Sequence, residues 1–459
     1  MGRNYLPSGC FTPCIPPVYP LYSPCIAPVL YASATGYALA SSSLICELGC
    51  ICGSIPPMVQ IPKTMQAVVY RGANDLRLET VPVPRIGPGE LLVRVAVCGV
   101  CPTDIKKIQY GSVPPPRIFG HETAGTIVRI GSGVRQFRTG ERVALHHHVP
   151  CLRCHACRHH AFAQCAQYKR TGITAGFEPA GGGYAGYVRV MPFVLPGVVR
   201  IPARNSFLEG AMLEPVNTVL KAVKRLALLP GDTVLVAGQG PIGLLFTRLL
   251  ALRGMRVLAT DLLPARLMLA RKFGAAEAYC PKSETPNPKA ERRQQTDLRS
   301  QESRITHHAS RITHHASHIP HPPPNPQLST LIHQLTRGHG LDAAVIAVPS
   351  DAVAREAQAL IRGAGQVLLF SHTRRGVETS MDLATVCMDE KDLIGSYSAD
   401  FLLQKEVARL VFSRQLDARR LITHQFPLAQ TAAAIELASH PAAESLKVVV
   451  VQGSGQKSG

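Results

Sequence analysis

Four cysteines, Cys151, Cys154, Cys157 and Cys165, stand in the pattern C-x2-C-x2-C-x7-C. With 14 cysteines among 459 residues, three more at fixed offsets from a first would arise by chance roughly three times in 10⁵. Four thiolates complete a tetrahedral Zn²⁺ shell and leave no open position, so this group predicts a structural metal site. Such a metal contributes on the order of 10 kcal/mol to ordering a loop that has little core of its own. His155, His159 and His160 are interleaved, but the thiolates already fill the shell. A second group is dispersed. VCGVCPTD holds Cys98, Cys101, Thr103 and Asp104; FGHETAG holds Gly120, His121 and Glu122; LEPVN holds Glu214. A catalytic zinc needs a few protein ligands and one position for water or substrate. Spacing alone does not join these segments. Cys98 and Cys101 also read as core cysteines, His121 as a turn residue and Glu214 as a solvated helical carboxylate.

GQGPIG places Gly238, Gly240 and Gly243 between an apolar strand and a helix. Glycines so spaced allow a tight turn and bring backbone N–H groups close to a pyrophosphate at the helix N-terminus. Asp261 ends the next apolar strand, 18 residues after Gly243. A carboxylate there accepts from the ribose hydroxyls of NAD and repels a 2′-phosphate.

Two kinds of element must position these residues. From about 65 to 205, short alternating strands such as ELLVRVAV are separated by Pro and Gly turns. SFLEGAMLEPVNTVLKAVKRLAL then has helical apolar spacing. Beyond it, DTVLVAGQGPIGLLFTRLLALRGMRVLATD and later strands near 341–349 and 366–371 alternate with helices. That order predicts an α/β fold with a doubly wound parallel (Rossmann) sheet. LKVVVV near the C-terminus reads as a buried strand.

Hydrophobic residues at 46% and charged residues at 17% exclude a disordered or collagen-like chain. The stretch from Ala27 to Ala40 is interrupted by Pro28, Ser33, Thr35 and Gly36 and is too short to span a bilayer. A formal net charge of +19 admits a nucleic-acid partner, but the basic residues are scattered and without aromatic interleaving. No secretory signal pattern opens the chain, so clustered cysteines read as metal ligands and a cytoplasmic protein is expected. Residues 1–62 lack periodicity and read as a disordered extension. Residues 281–327 carry the tandem heptad SRITHHA at 303–309 and 310–316 and six of the 18 histidines; they read as a disordered insertion.

Taken together, VCGVCPTD, FGHETAG, the four-cysteine lobe, LEP and GQGPIG resemble the zinc-containing medium-chain alcohol dehydrogenases, most closely the polyol (sorbitol-type) and threonine dehydrogenase branch. The resemblance runs from about Met65 to Val451, excluding the insertion. It implies a β-rich, partly open barrel (GroES-like) catalytic domain over 63–215, an NAD-binding Rossmann domain over 216–372, and a return to the catalytic domain over 373–459. It implies two Zn²⁺ per chain, one catalytic and one structural. Cys101 and His121 match the first two catalytic ligands and Glu214 the third, binding zinc directly or through water, while Glu122 sits beside the metal as a ligand or as a neighbour of the ligands. Asp104 matches the carboxylate that orients the ligating histidine, and Thr103 the hydroxyl that relays the substrate proton. Lys447 resembles a basic residue near the cofactor phosphates. Lys106 stands where the family has a relay histidine, and its ammonium is a poor base at neutral pH. The implied activity is NAD-dependent oxidation of a secondary alcohol or polyol, in a homodimer or homotetramer, with a primary-alcohol or threonine dehydrogenase as the nearest alternative. A zinc-binding nucleic-acid or regulatory protein is the alternative from another class, and one zinc per chain instead of two would favour it.

Overall fold

The structure is a computed structural model and describes residues 60–146, 148–168, 172–177, 181–281, 324–371, 376 and 378–453. The expected extension lies almost wholly outside these residues, and so does most of the expected insertion. Among the described residues no helix is long and apolar enough to cross a membrane.

TVLVA at Thr233–Ala237 is buried at every position, as a strand must be when both faces of its sheet are covered by helices. It lies within a six-stranded parallel sheet in the order Glu277–Tyr279, Arg256–Thr260, Thr233–Ala237, Leu341–Ile346, Ile361–Leu369, Asp392–Gly395. The order reverses beside Thr233–Ala237, which is the switch point of a doubly wound sheet. The helix Pro241–Leu252 buries Leu244, Leu245, Phe246, Leu249 and Leu250 in the adjoining core. The sixth strand corrects the expected boundary: the chain does not leave the parallel sheet at 373 but rejoins the other sheet at Ile422.

That other sheet is mostly antiparallel. Its path runs Ile422–Pro427, Lys447–Val451, Leu91–Gly99, Glu122–Ile130, Arg142–Ala144, Val199–Arg200, with Tyr187–Val190 also paired to Leu91–Gly99 and Ile173–Thr174 paired to Tyr187–Val190. A three-stranded sheet, Asp75–Pro82, Thr64–Gly72 and Arg117–Ile118, completes this β-rich half. The register matters more than the count. Gly99 pairs with Glu122 and Cys98 with Thr123, while Val449 pairs with Gly99 from the other side. Cys101, two residues beyond Gly99, and His121, one before Glu122, are therefore brought to the same end of adjacent strands.

The predicted helix after Ser206 is two helices, Phe207–Ala211 and Leu213–Val223. Pro215 has no N–H to give the carbonyl of Ala211, so the ladder breaks at Met212, and Pro215 is tolerated in the first turn of the second helix. Phe246 is fully buried and meets Phe370 edge-on with ring centroids 5.0 Å apart. Phe246→Ala should cost about 3–5 kcal/mol of stability, read as a lowered denaturant midpoint at unchanged slope.

Candidate active site

Cys101 caps the helix Pro102–Tyr110, accepting the N–H groups of Asp104 and Ile105 at 3.0 and 3.2 Å. Pro102 suits that helix start, where an N–H would have no partner in the turn. The ligand atoms of Cys101, His121 and Glu122 lie within 4.8 Å of one another. Asp104, buried in the first helical turn, faces His121 Nδ1 at 3.1 Å, which directs Nε2 toward Cys101 and Glu122. Burial pushes the Asp104 carboxyl up, but the His121 ring outweighs it and holds the group below its ordinary value. Burial likewise lowers His121, yet the charges of Asp104 and Cys101 raise it well above its usual range. That proton must leave when the ring ligates an ion. A thiolate, an oriented imidazole and a carboxylate form a donor set suited to zinc.

Cys98 is not part of this set. Successive strand residues point to opposite faces, and Cys98 turns inward, where Thr123 Oγ1 donates to its sulfur at 3.5 Å and burial pushes the thiol up to about 12. Glu214 also stands outside the three-ligand set. It is buried at the start of the helix Leu213–Val223, and burial above all raises its carboxyl to about 7, with Glu122 and Asp104 adding to the rise and His121 and Lys447 opposing it. Its carboxyl belongs to the same charged neighbourhood without joining the ligand cluster.

Lys447 corrects a further expectation. Instead of lying near cofactor phosphates, it is buried in the C-terminal strand, with Nζ 2.5 Å from Glu122 Oε2 and donating to Val100 O at 2.9 Å. Burial opposes its charge, but Glu122 outweighs burial and raises it. Room for the pair comes from Gly99, where a Cβ would fall 1.8 Å from Glu122 Oε2 and 3.0 Å from Lys447 Cε. Thr103 and Lys106 are half-buried on the helix Pro102–Tyr110. Burial lowers Lys106, and the nearby Cys101 partly offsets that.

Cys151, Cys154, Cys157 and Cys165 also converge within 4.8 Å. Zinc–sulfur bonds of about 2.3 Å require sulfurs about 3.8 Å apart in a tetrahedron. Here Cys154 and Cys157 are separated by 3.5 Å and Cys151 and Cys157 by 4.0 Å. The N–H of Cys151 donates to Cys165 Sγ at 3.4 Å, closing the lobe. The backbone N–H groups of Arg153 and Cys154, foremost among the causes, pull the Cys151 thiol down to about 6, toward the thiolate a metal needs.

At the glycine turn the three glycines do different work. Gly238 has a φ of +91°, and a Cβ at Gly243 would lie 1.7 Å from Gly238 O, whereas one at Gly240 would meet nothing within 4 Å. Gly238 makes the turn, Gly243 lets helix and strand close up, and Gly240 leaves open space at the N-cap of the helix Pro241–Leu252, where a pyrophosphate fits. Asp261 follows the strand Arg256–Thr260 and accepts from the N–H groups of Gln239 at 2.7 Å and Leu263 at 2.9 Å. It therefore braces the glycine turn as well as standing at the position expected to meet the ribose. Arg266 lies 3.9 Å from it.

Two residues near the cluster escaped sequence reasoning. His148 and Tyr168 stack with ring centroids 4.6 Å apart, and both sense the charge of His121. The run of three histidines at 146–148 was the one signal available.

An open donor set beside a doubly wound sheet with a glycine turn at a helix N-terminus is an arrangement that metal-dependent, dinucleotide-binding oxidoreductases use. Residues 87–202 match the Alcohol dehydrogenase GroES-like domain family. The chain is 28% identical over 398 residues to the sorbitol dehydrogenase of Bacillus subtilis (strain 168), covering 85% of this chain and 98% of that protein. It is 33% identical over 226 residues to the sorbitol dehydrogenase of Gallus gallus, covering 48% and 62% respectively. The fold is also that of 2R,3R-butanediol dehydrogenase from Bacillus subtilis, at a TM-score of 0.66 and 23% identity over 85% of this chain and all of that one. Residues 87–202 thus match a domain family of alcohol dehydrogenases, and the chain is similar along most of its length to sorbitol dehydrogenases. Gly99→Ala should displace the Glu122–Lys447 pair and lower zinc retention at the Cys101 site, measured as loss of about one zinc per chain on dialysis while the four-cysteine site keeps its ion.

Proposed function

We propose that this chain oxidises a secondary alcohol or polyol to a ketone, using NAD and two zinc ions per chain. The observation that carries the reading is the convergence of Cys101, His121 and Glu122 within 4.8 Å in a chain that also folds a pyrophosphate turn. Cys101, His121 and Glu122 would hold the catalytic ion and the four-cysteine lobe the structural one. When bound, zinc supplies a Lewis acid that acidifies an alcohol hydroxyl, and NAD supplies the hydride acceptor.

The chain's own residues do the rest. Asp104 holds His121 in one orientation through Nδ1. Lys447 neutralises Glu122, so the cluster presents less negative charge to an incoming hydroxyl. Thr103 and Lys106 are three apart on one helix and share a face. Thr103 Oγ1 takes the substrate proton as it passes its own outward along that face to water. Asp261 favours NAD over NADP by repelling a 2′-phosphate. The names of the sorbitol dehydrogenase relatives support a polyol substrate, and a homodimer or homotetramer without a nucleic-acid partner completes the reading.

A panel of alcohols and polyols with NAD, followed by absorbance of the reduced nicotinamide, tests the activity directly. Cys101→Ala is expected to abolish turnover while circular dichroism and thermal unfolding stay close to the parent; continued NADH formation by that variant refutes the assignment. Metal analysis should return two zinc ions per chain, and a single ion would favour a binding protein. Asp261→Ser should lower the ratio of kcat/KM for NAD to that for NADP by roughly tenfold or more, as expected for loss of one charge-assisted hydrogen bond. An unchanged ratio removes Asp261 from cofactor selection.

A further inference from the structure

The four-cysteine lobe ends in a tyrosine that reaches the nucleotide-binding half. Tyr168 lies three residues past Cys165 and donates its N–H to Cys165 O at 3.1 Å, so the cysteine turn sets its position. The ring is 3% exposed and stacks on His148. Its Oη lies 2.5 Å from Ser398 Oγ. Beside this bond Phe162 of the same lobe meets Phe401 edge-on, with centroids 5.6 Å apart.

Ser398 belongs to the segment that follows the sixth parallel strand, Asp392–Gly395. All six strands run in one direction, so this segment leaves at their carboxyl end, as the glycine turn does, and that is the face on which dinucleotides sit. The segment is held from a second side by the helix Leu213–Val223, which also carries Glu214. Asn217 Nδ2 donates to Asp400 O at 3.0 Å, the N–H of Asp400 donates to Asn217 Oδ1 at 2.8 Å, and Lys221 Nζ donates to Tyr397 O at 2.8 Å. Asn217 also donates to Gln404 Oε1 at 3.0 Å. Ser398 has a φ of 64°, a left-handed conformation that an L-residue keeps only when its surroundings hold it there. The segment that Tyr168 grips therefore lies at the carboxyl end of the parallel sheet, on the face where a dinucleotide would sit.

We propose that the hydrogen bond between Tyr168 and Ser398 is a latch through which the four-cysteine lobe holds segment 396–404 in the position that cofactor binding requires. Tyr168 and Ser398 are positioning residues, acting through the segment and not on the reacting atoms. The inference rests on the NAD-dependent reading above.

Tyr168→Phe removes only Oη and leaves the ring to stack on His148. The Kd for NADH, measured by the cofactor's own fluorescence on a chain without tryptophan, should rise roughly five- to tenfold, the loss of one buried hydrogen bond. The KM for NAD should rise with it, kcat should change less than twofold, and zinc content should stay at the parent value. Ser398→Ala should give the same shift, and the double variant should be no weaker than either single one, because both remove one interaction. NADH affinity within twofold of the parent in both single variants overturns the latch, and so do additive effects in the double variant. A parent protein that neither binds NADH nor reduces NAD overturns the underlying dehydrogenase reading, and the latch falls with it.

Discussion

A buried ammonium sets the charge around the metal cluster. Lys447 and Glu122 lie 2.5 Å apart with both side chains nearly dry, and removing either partner of such a pair costs about 3–5 kcal/mol because the other charge is left uncompensated. The contact spans three neighbouring strands. Lys447 opens the C-terminal strand, Gly99 ends the strand paired to it, and Glu122 begins the next. Correct pairing of these strands is therefore a condition for a neutralised Glu122. The missing side chain at Gly99 is part of the same arrangement, since any Cβ would occupy the space the pair needs.

The charges around that pair divide by burial and distance. Asp104 and His121 share a hydrogen bond and hold each other ionised. Glu214, buried and facing two further carboxylates, is driven toward its neutral form. Carboxylates of one chemical type thus serve as a partner that orients His121, a candidate metal ligand paired with lysine, and a group driven toward its neutral form. The environment makes the distinction, as it does for paired carboxylates in enzyme sites generally.

The helix Leu213–Val223 links the two halves through a polar stripe. Glu214, Asn217 and Lys221 recur at helical spacing; the first is buried, while the other two hold the segment beyond the sixth parallel strand. Tyr168 holds that segment from the cysteine lobe. The four-cysteine lobe and the segment beyond the sixth strand are thereby joined, although 230 residues separate Tyr168 from Ser398.

Features whose parts are close in sequence were legible without coordinates. The four thiols fall between residues 151 and 165, the glycine turn occupies six residues, and the strand–helix alternation after it leaves little choice but a parallel sheet, because each depends on local spacing and periodicity alone. The tertiary structure decided what depends on register. It buried Cys98 against Thr123 Oγ1, apart from the cluster; it left Glu214 outside the group of Cys101, His121 and Glu122; it put the sixth strand in the parallel sheet. It also took Lys447 from an expected phosphate contact to Glu122, a partner 325 residues away. No periodicity encodes such a contact. It exists only once strand pairing has brought distant backbone together and excluded water from the two charges.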